Sequence, residues 1–124
     1  MLIPPRKIVV VGLQRSLYET LMSMLGMRAG VDEVTYHYWY NPNDEKIEPS
    51  PDVMVLEAAR DQHLNRLRIW VRDIAFAHPL TKIVVAAYGM PSGSLAAHAV
   101  VHSPSLQELV EAVKPLLPSG TIDA

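Results

Sequence analysis

Three stretches of this chain, Ile8–Val11, Val53–Leu56 and Ile83–Ala87, are apolar without interruption. A strand with one wet face alternates apolar and polar side chains. A strand covered on both faces does not, and such strands belong to parallel sheets packed between helices. Parallel neighbours also need crossovers of a dozen or more residues, and the intervals here supply that length. A second strand at about Glu33–Tyr40 and a short fifth at Ala99–His102 complete a strand–helix order repeated about five times. The fold class this implies is α/β, a doubly wound, open, five-stranded parallel sheet whose ligands favour the carboxyl ends of the strands.

The helices are marked by their start and stop signals. Ser16-Leu17-Tyr18-Glu19 is a capping box, followed by Leu17, Leu21, Met24 and Leu25 at helical spacing and by Gly26 or Gly30 as a left-handed stop. The longest helix is expected from about Asp61 to Ala77, with Leu64, Leu67, Trp70 or Val71, and Ile74 toward the sheet. Arg66, Arg68 and Arg72 then face mostly outward as a solvated face, and His78-Pro79 ends the helix. Two crossovers are shortened. Asn41–Pro51 carries Pro42, Pro49 and Pro51 and holds at most a short helix capped by Asn41, and Leu95–His98 has room for barely one turn. A second capping box, Ser105-Leu106-Gln107-Glu108, opens a last helix with Leu106, Leu109, Val110 and Val113 on its apolar face, bent or ended by Pro115. Residues 1–117 thus read as one domain and 118–124 as a frayed tail or the start of a linker.

Composition removes several chemistries. The absence of cysteine excludes disulfides, zinc-thiolate sites, iron–sulfur clusters and cysteine nucleophiles. Eleven basic against thirteen acidic residues gives no general pull toward nucleic acid or anionic membrane. No apolar run approaches the roughly 20 residues that span a bilayer, so a cytoplasmic location is expected. Of the five histidines only His98 and His102 are near neighbours, and along a strand they sit about 13 Å apart, too far to share one ion. No metal and no cofactor is expected. Val11-Gly12-Leu13-Gln14-Arg15-Ser16 has neither a dinucleotide fingerprint nor a P-loop and reads as a tight strand–helix turn, and no serine sits in a G-x-S-x-G elbow.

Three stretches in this order, Pro51-Asp52-Val53-Met54-Val55-Leu56-Glu57, Ile83-Val84-Val85-Ala86-Ala87-Tyr88-Gly89 and Val100-Val101-His102-Ser103-Pro104-Ser105-Leu106-Gln107-Glu108-Leu109, resemble the third, fourth and fifth strands of the receiver domain of bacterial two-component response regulators. The resemblance covers nearly the whole chain and implies a flavodoxin-like or CheY-like fold. Carried over residue by residue, it mostly implies losses. The acidic pair that holds magnesium in the family falls on Gly12 and Leu13, the phospho-acceptor aspartate on Glu57, and the phosphoryl-contacting Ser/Thr on Ala86. The lysine falls on His102 or, with one gap, Ser103, and the aromatic switch on Ala99. Phosphoryl transfer depends on positioning and on charge neutralisation by metal and cation, so the chain reads as a degenerate pseudo-receiver rather than an enzyme. Glu57 is either a locally bonded strand-end residue or a permanent imitation of the phosphorylated state, and a pairing of Glu57 with His102 would raise the histidine's pKa.

The leading expectation is a phosphorylation-independent module of bacterial signalling or transcription control that acts by protein–protein contact, as a homodimer and without binding DNA itself. Tyr36-His37-Tyr38-Trp39-Tyr40 concentrates four of the eight Phe, Trp and Tyr residues on an expected edge strand. Tyr36, Tyr38, Trp39 and Tyr40 are therefore contact candidates, and so are Leu106, Leu109, Val110 and Val113 of the last helix. The alternatives are a sensor of a small anion or nucleotide at Gly12–Ser16 and the strand ends, and a phosphorylatable receiver.

Overall fold

The computed structural model describes residues 7–12, 19, 21–23, 33–58, 64–87, 97, 99–102 and 106–117. Five strands, β1 (Lys7–Val11), β2 (Glu33–His37), β3 (Val53–Glu57), β4 (Lys82–Ala87) and β5 (Ala99–His102), pair in parallel in the order β2-β1-β3-β4-β5. This is the doubly wound sheet that the continuous apolar runs imply. Helix α1 (Leu64–Ala77) connects β3 to β4, and helix α2 (Leu106–Val113) follows β5 and runs into a 3-10 turn at Lys114–Leu116. Glu19 and residues 21–23 are also helical.

Alternation along each strand sends successive side chains to opposite faces, and both faces are buried here. One face joins Val9, Val11, Met54, Leu56, Ile83 and Val85 to Leu67, Val71 and Ile74 of α1. The other joins Ile8, Val10, Val53, Val55, Val84 and Ala86 to Leu21 and to Leu109, Val110 and Val113 of α2. Each of the three buried α1 side chains contributes roughly 1.5–3 kcal/mol by leaving water. Between the two helix candidates of α1, Val71 is the buried residue and Trp70 is half-buried.

Several expectations are corrected. Strand β2 ends at His37, so Tyr38, Trp39 and Tyr40 are not strand residues. Segment 41–51 holds no helix; Asn41 caps a single turn, its Oδ1 accepting from Asn43 N–H at 2.9 Å and its carbonyl from Asp44 and Glu45. Three prolines within eleven residues deny a helix its amide donors. Tyr40, Leu109, Val110 and Val113 are core residues, 4%, 0%, 3% and 0% exposed, and do not present a surface to a partner. The side chain of Leu106 lies outside the described residues, as do Ser16 and Ser105 of the capping boxes, the glycine stops, 61–63 and 88–96 of the shortened fourth crossover.

At the amino edge of the sheet Asp52 ties three strands together. Its Oδ2 accepts from Lys7 N–H at 2.8 Å, its amide donates to Lys7 O, and its carbonyl accepts from Lys82 N–H, both at 2.9 Å.

Candidate functional site

The carboxyl edge is built by the ends of β1, β3, β4 and β5. The Gly12 amide donates to His37 O at 3.0 Å, and the Gly12 carbonyl accepts from the Tyr36 hydroxyl at 2.7 Å, so β2 holds the end of β1 from both sides. Glu57 pairs in register with Ala86, and the Ala58 amide donates to Ala86 O at 2.9 Å. Ala86 is 1% exposed, a core methyl with no hydroxyl to offer.

Glu57 lies against Gly12. A Cβ placed on Gly12 would stand 2.6 Å from Glu57 Oε1, 2.9 Å from its Cβ and 3.4 Å from its Cδ. The carboxylate therefore occupies the space that a side chain at position 12 would need. Glu57 is 8% exposed and engaged with its surroundings, a buried polar group in a chain whose strand interiors are otherwise apolar.

A divalent cation of the kind the resemblance implies wants several oxygen ligands, most of them anionic. Among the described residues no group of three His, Asp or Glu side chains is placed to hold a metal ion. Gly12 contributes no carboxylate, Ala86 no side-chain oxygen, and Glu57 fills the position-12 space, so these side chains do not fit the cation. Leu13 lies outside the described residues, and His102 is described only by its backbone. The register sets His102 opposite Ala87, and Val101 opposite Ala86 at the level of Glu57. A Glu57–His102 pair and the Gly12–Ser16 turn thus fall outside what the structure describes.

A second polar cluster has no counterpart in the sequence reasoning. Beyond β2 the chain turns back along the α1 face of the sheet, and the Tyr40 hydroxyl meets His78 Nε2 at 2.7 Å while Ser50 Oγ meets His78 Nδ1 at 2.6 Å. Tyr40 Oη also accepts from Ile47 N–H at 3.0 Å, and Trp70 Nε1–H donates to Tyr40 O at 2.7 Å. Each ring nitrogen of His78 thus meets one hydroxyl, with donor and acceptor roles following the tautomer, and together these bonds clasp residues 38–51 against the end of α1. Burial pushes the His78 pKa down, Lys46 adds to that and Glu48 opposes it. Burial likewise raises Tyr40, against the Ile47 hydrogen bond that lowers it and with Glu48 raising it. The sequence held no signal for this cluster: its members stand 38 and 28 residues apart in no motif spacing.

Next to the clasp, a hollow of about 250 Å³ is lined by His37, Trp39, Tyr40, Asn41 and residues 44–47. Trp39 stacks on Trp70 with ring centroids 5.3 Å apart and planes 5° from parallel, yet remains 59% exposed, and Tyr38 is 65% exposed. Of the aromatic contact candidates, these two present themselves to solvent; Tyr36 is half-buried and Tyr40 is in the core.

No protein-family model matches the chain, and no curated protein matches it in sequence. Solved structures do match. A protein described as a pilus assembly protein, CpaE of Burkholderia thailandensis, superposes with a TM-score of 0.65 at 16% identity over 90% of this chain and 97% of that one. The BeF3-activated receiver domain of DrrB, a Thermotoga maritima response regulator, gives 0.63 at 18% identity over 90% and 97%. The CheY-like protein TadZ of Pseudomonas aeruginosa gives 0.60 at 13% identity over 90% and 98%. With the strand order and the two-faced helix packing, these likenesses show that the chain has the fold of a response-regulator receiver domain.

Proposed function

We propose that this chain is a receiver-like module of bacterial signalling or transcription control that works by protein–protein contact and not by phosphoryl transfer. One observation carries the reading: Glu57 fills the space above Gly12 where the receiver resemblance calls for a metal-binding carboxylate. Catalysis of phosphoryl transfer comes from neutralising developing charge with metal and cation, and a phosphoryl group needs room beside the acceptor. Among the described residues of the edge, the glycine, the buried glutamate and the core alanine supply neither. Among the structural neighbours the fold serves a pilus assembly protein as well as a response regulator, so the scaffold itself does not demand phosphorylation.

The domain of the reading is residues 1–117, and its partner is another protein. No helix among the described residues is long and apolar enough to cross a membrane. The test is to incubate the protein with acetyl phosphate or beryllofluoride and magnesium, following intact mass and tryptophan fluorescence. No phosphoryl adduct and no magnesium-dependent fluorescence change are expected. A magnesium-dependent adduct on Glu57 would overturn the reading.

A further inference from the structure

We propose that the hollow beside Trp39 receives the guanidinium of an arginine side chain on the surface of another protein. This rests on the contact-mediated reading above and names the surface and the chemistry that meets it.

A tryptophan carries a large apolar surface that folding gains by burying, yet Trp39 is 59% exposed. The ring is nonetheless held in place. It lies parallel to Trp70 with centroids 5.3 Å apart, and Trp70 is itself fixed by its Nε1–H donating to Tyr40 O. Trp70 covers one indole face, and the exposed remainder of Trp39 contributes to the wall of the hollow. The rim next to it is equally ordered. Asn41 O accepts from the amides of Asp44 and Glu45 at 3.1 and 3.2 Å, and Ile47 N–H donates to Tyr40 Oη at 3.0 Å. Both ends of the 44–47 segment are therefore tied down before a partner arrives, and a preorganised site loses little freedom on binding.

The charge of the lining selects a cation. Asp44, Glu45 and Lys46 all line the hollow. Lys46 Nζ already has a counter-charge in Glu48 Oε1 at 3.9 Å, whereas no ion pair among the described residues engages Asp44 or Glu45. Two carboxylates against one ammonium that Glu48 offsets leave the hollow negative.

The indole then discriminates among cations. A guanidinium is planar and weakly hydrated, so it stacks on an aromatic face while its N–H fork reaches a carboxylate; an ammonium is a compact, strongly hydrated point charge. A hard metal ion gains nothing from an indole and wants several oxygens in one shell, and no group of three His, Asp or Glu side chains is placed for that among the described residues. Size points to a side chain presented from outside. The hollow, about 250 Å³, is smaller than the roughly 300–1,000 Å³ that encloses a small-molecule ligand. Ile47 and Tyr40 in its lining give the methylene stem of an arginine an apolar wall to lie on.

The test is an NMR titration of the isotopically labelled full chain with the capped peptide Ala-Arg-Ala, followed through the Trp39 indole N–H and the Asp44–Ile47 amides. Saturable shifts at these groups are expected, with a dissociation constant on the order of millimolar, as suits a single side chain. The capped lysine peptide should bind more weakly, and the capped citrulline peptide, of the same shape without the charge, roughly tenfold more weakly. Free arginine carries a carboxylate that Asp44 and Glu45 repel, so it should bind more weakly than the capped peptide. Asp44→Asn with Glu45→Gln should weaken the arginine peptide roughly 2–30-fold, and Trp39→Leu by a similar roughly 2–30-fold; unchanged amide shifts in β3 and α2 show that each variant is folded. No shift at these groups overturns the site, as does a citrulline peptide that binds as well as the arginine one, or a double carboxylate variant that binds like the wild type. Free arginine binding more tightly than the capped peptide overturns the assignment to a partner's side chain. A failed titration without a magnesium-dependent phosphoryl adduct removes this surface and leaves the contact-mediated reading standing. An adduct defeats that reading, and with it the assignment to a protein partner, whatever the shifts show.

Discussion

Replacing Gly12 by alanine tests the arrangement of the carboxyl edge directly. The new Cβ would stand 2.6 Å from Glu57 Oε1 and 2.9 Å from Glu57 Cβ, where ordinary contact begins at 3.4 Å. The carboxylate can swing aside by rotating about its side-chain bonds, but the Glu57 Cβ is fixed by the β3 backbone and cannot. Overpacking of this kind costs about 1–3 kcal/mol. Against it, alanine narrows the unfolded ensemble and returns about 0.4–1 kcal/mol, provided the native backbone suits it. It does, since the φ of Gly12 lies outside the left-handed region. The net loss in the natural background is therefore about 0–2.6 kcal/mol. With Glu57→Ala the Oε1 and Cδ contacts vanish while the Cβ contact stays, so the loss shrinks. With Glu57→Gly both vanish, and Gly12→Ala becomes stabilising by about 0.4–1 kcal/mol. Urea denaturation of the single and double variants measures these differences, each kcal/mol corresponding to about 3–6 °C in a chain of this length. An equal effect of Gly12→Ala in all three backgrounds would refute the contact between these residues.

Tyr40→Phe removes one hydroxyl that serves both His78 Nε2 and Ile47 N–H; leaving them unpaired in the interior is expected to cost about 1–3 kcal/mol in chemical denaturation. His78 has its folded pKa below the unfolded value near 6.5, so the unfolded chain binds more protons at mildly acid pH, and its contribution to stability is whole above that value and lost as pH falls toward the folded pKa. Stability measured from pH 8 downward should show this decline, and His78→Gln should flatten it; an unchanged profile would count against the clasp. Trp39→Ala strips the face of Trp70, and the expected outcome is a loss of about 0.5–1.5 kcal/mol with a shift of tryptophan emission, since Trp70 keeps its bond to Tyr40 O while one ring face meets water.

The layering of this protein is local information. Ile8–Val11, Val53–Leu56 and Ile83–Ala87 can be buried only on both faces, and long crossovers between them leave a parallel sheet as the outcome. The apolar periodicity of 64–77 and 106–113 likewise tells which helical face meets the sheet, as Leu67, Ile74, Leu109 and Val113 show. The groups that the resemblance calls for at positions 12 and 86 are equally plainly lacking from residue identity, because a glycine and an alanine carry no side-chain oxygen in any fold.

What the tertiary structure decided depends on contacts between residues far apart in the chain. Tyr40 reads as one more aromatic on an edge strand, yet the chain bends after His37 and the ring turns inward to meet His78, 38 residues on. His78 and Ser50 read as a helix stop and a linker residue, and only their convergence makes them a clasp. Glu57 reads as an acidic survivor at a strand end. Its burial over Gly12 follows from the β1–β3 register, which no local pattern encodes. Local propensity and periodicity act within a turn or two of chain. Which polar group is buried, and against what, is settled by the packing of segments brought together only when the sheet closes.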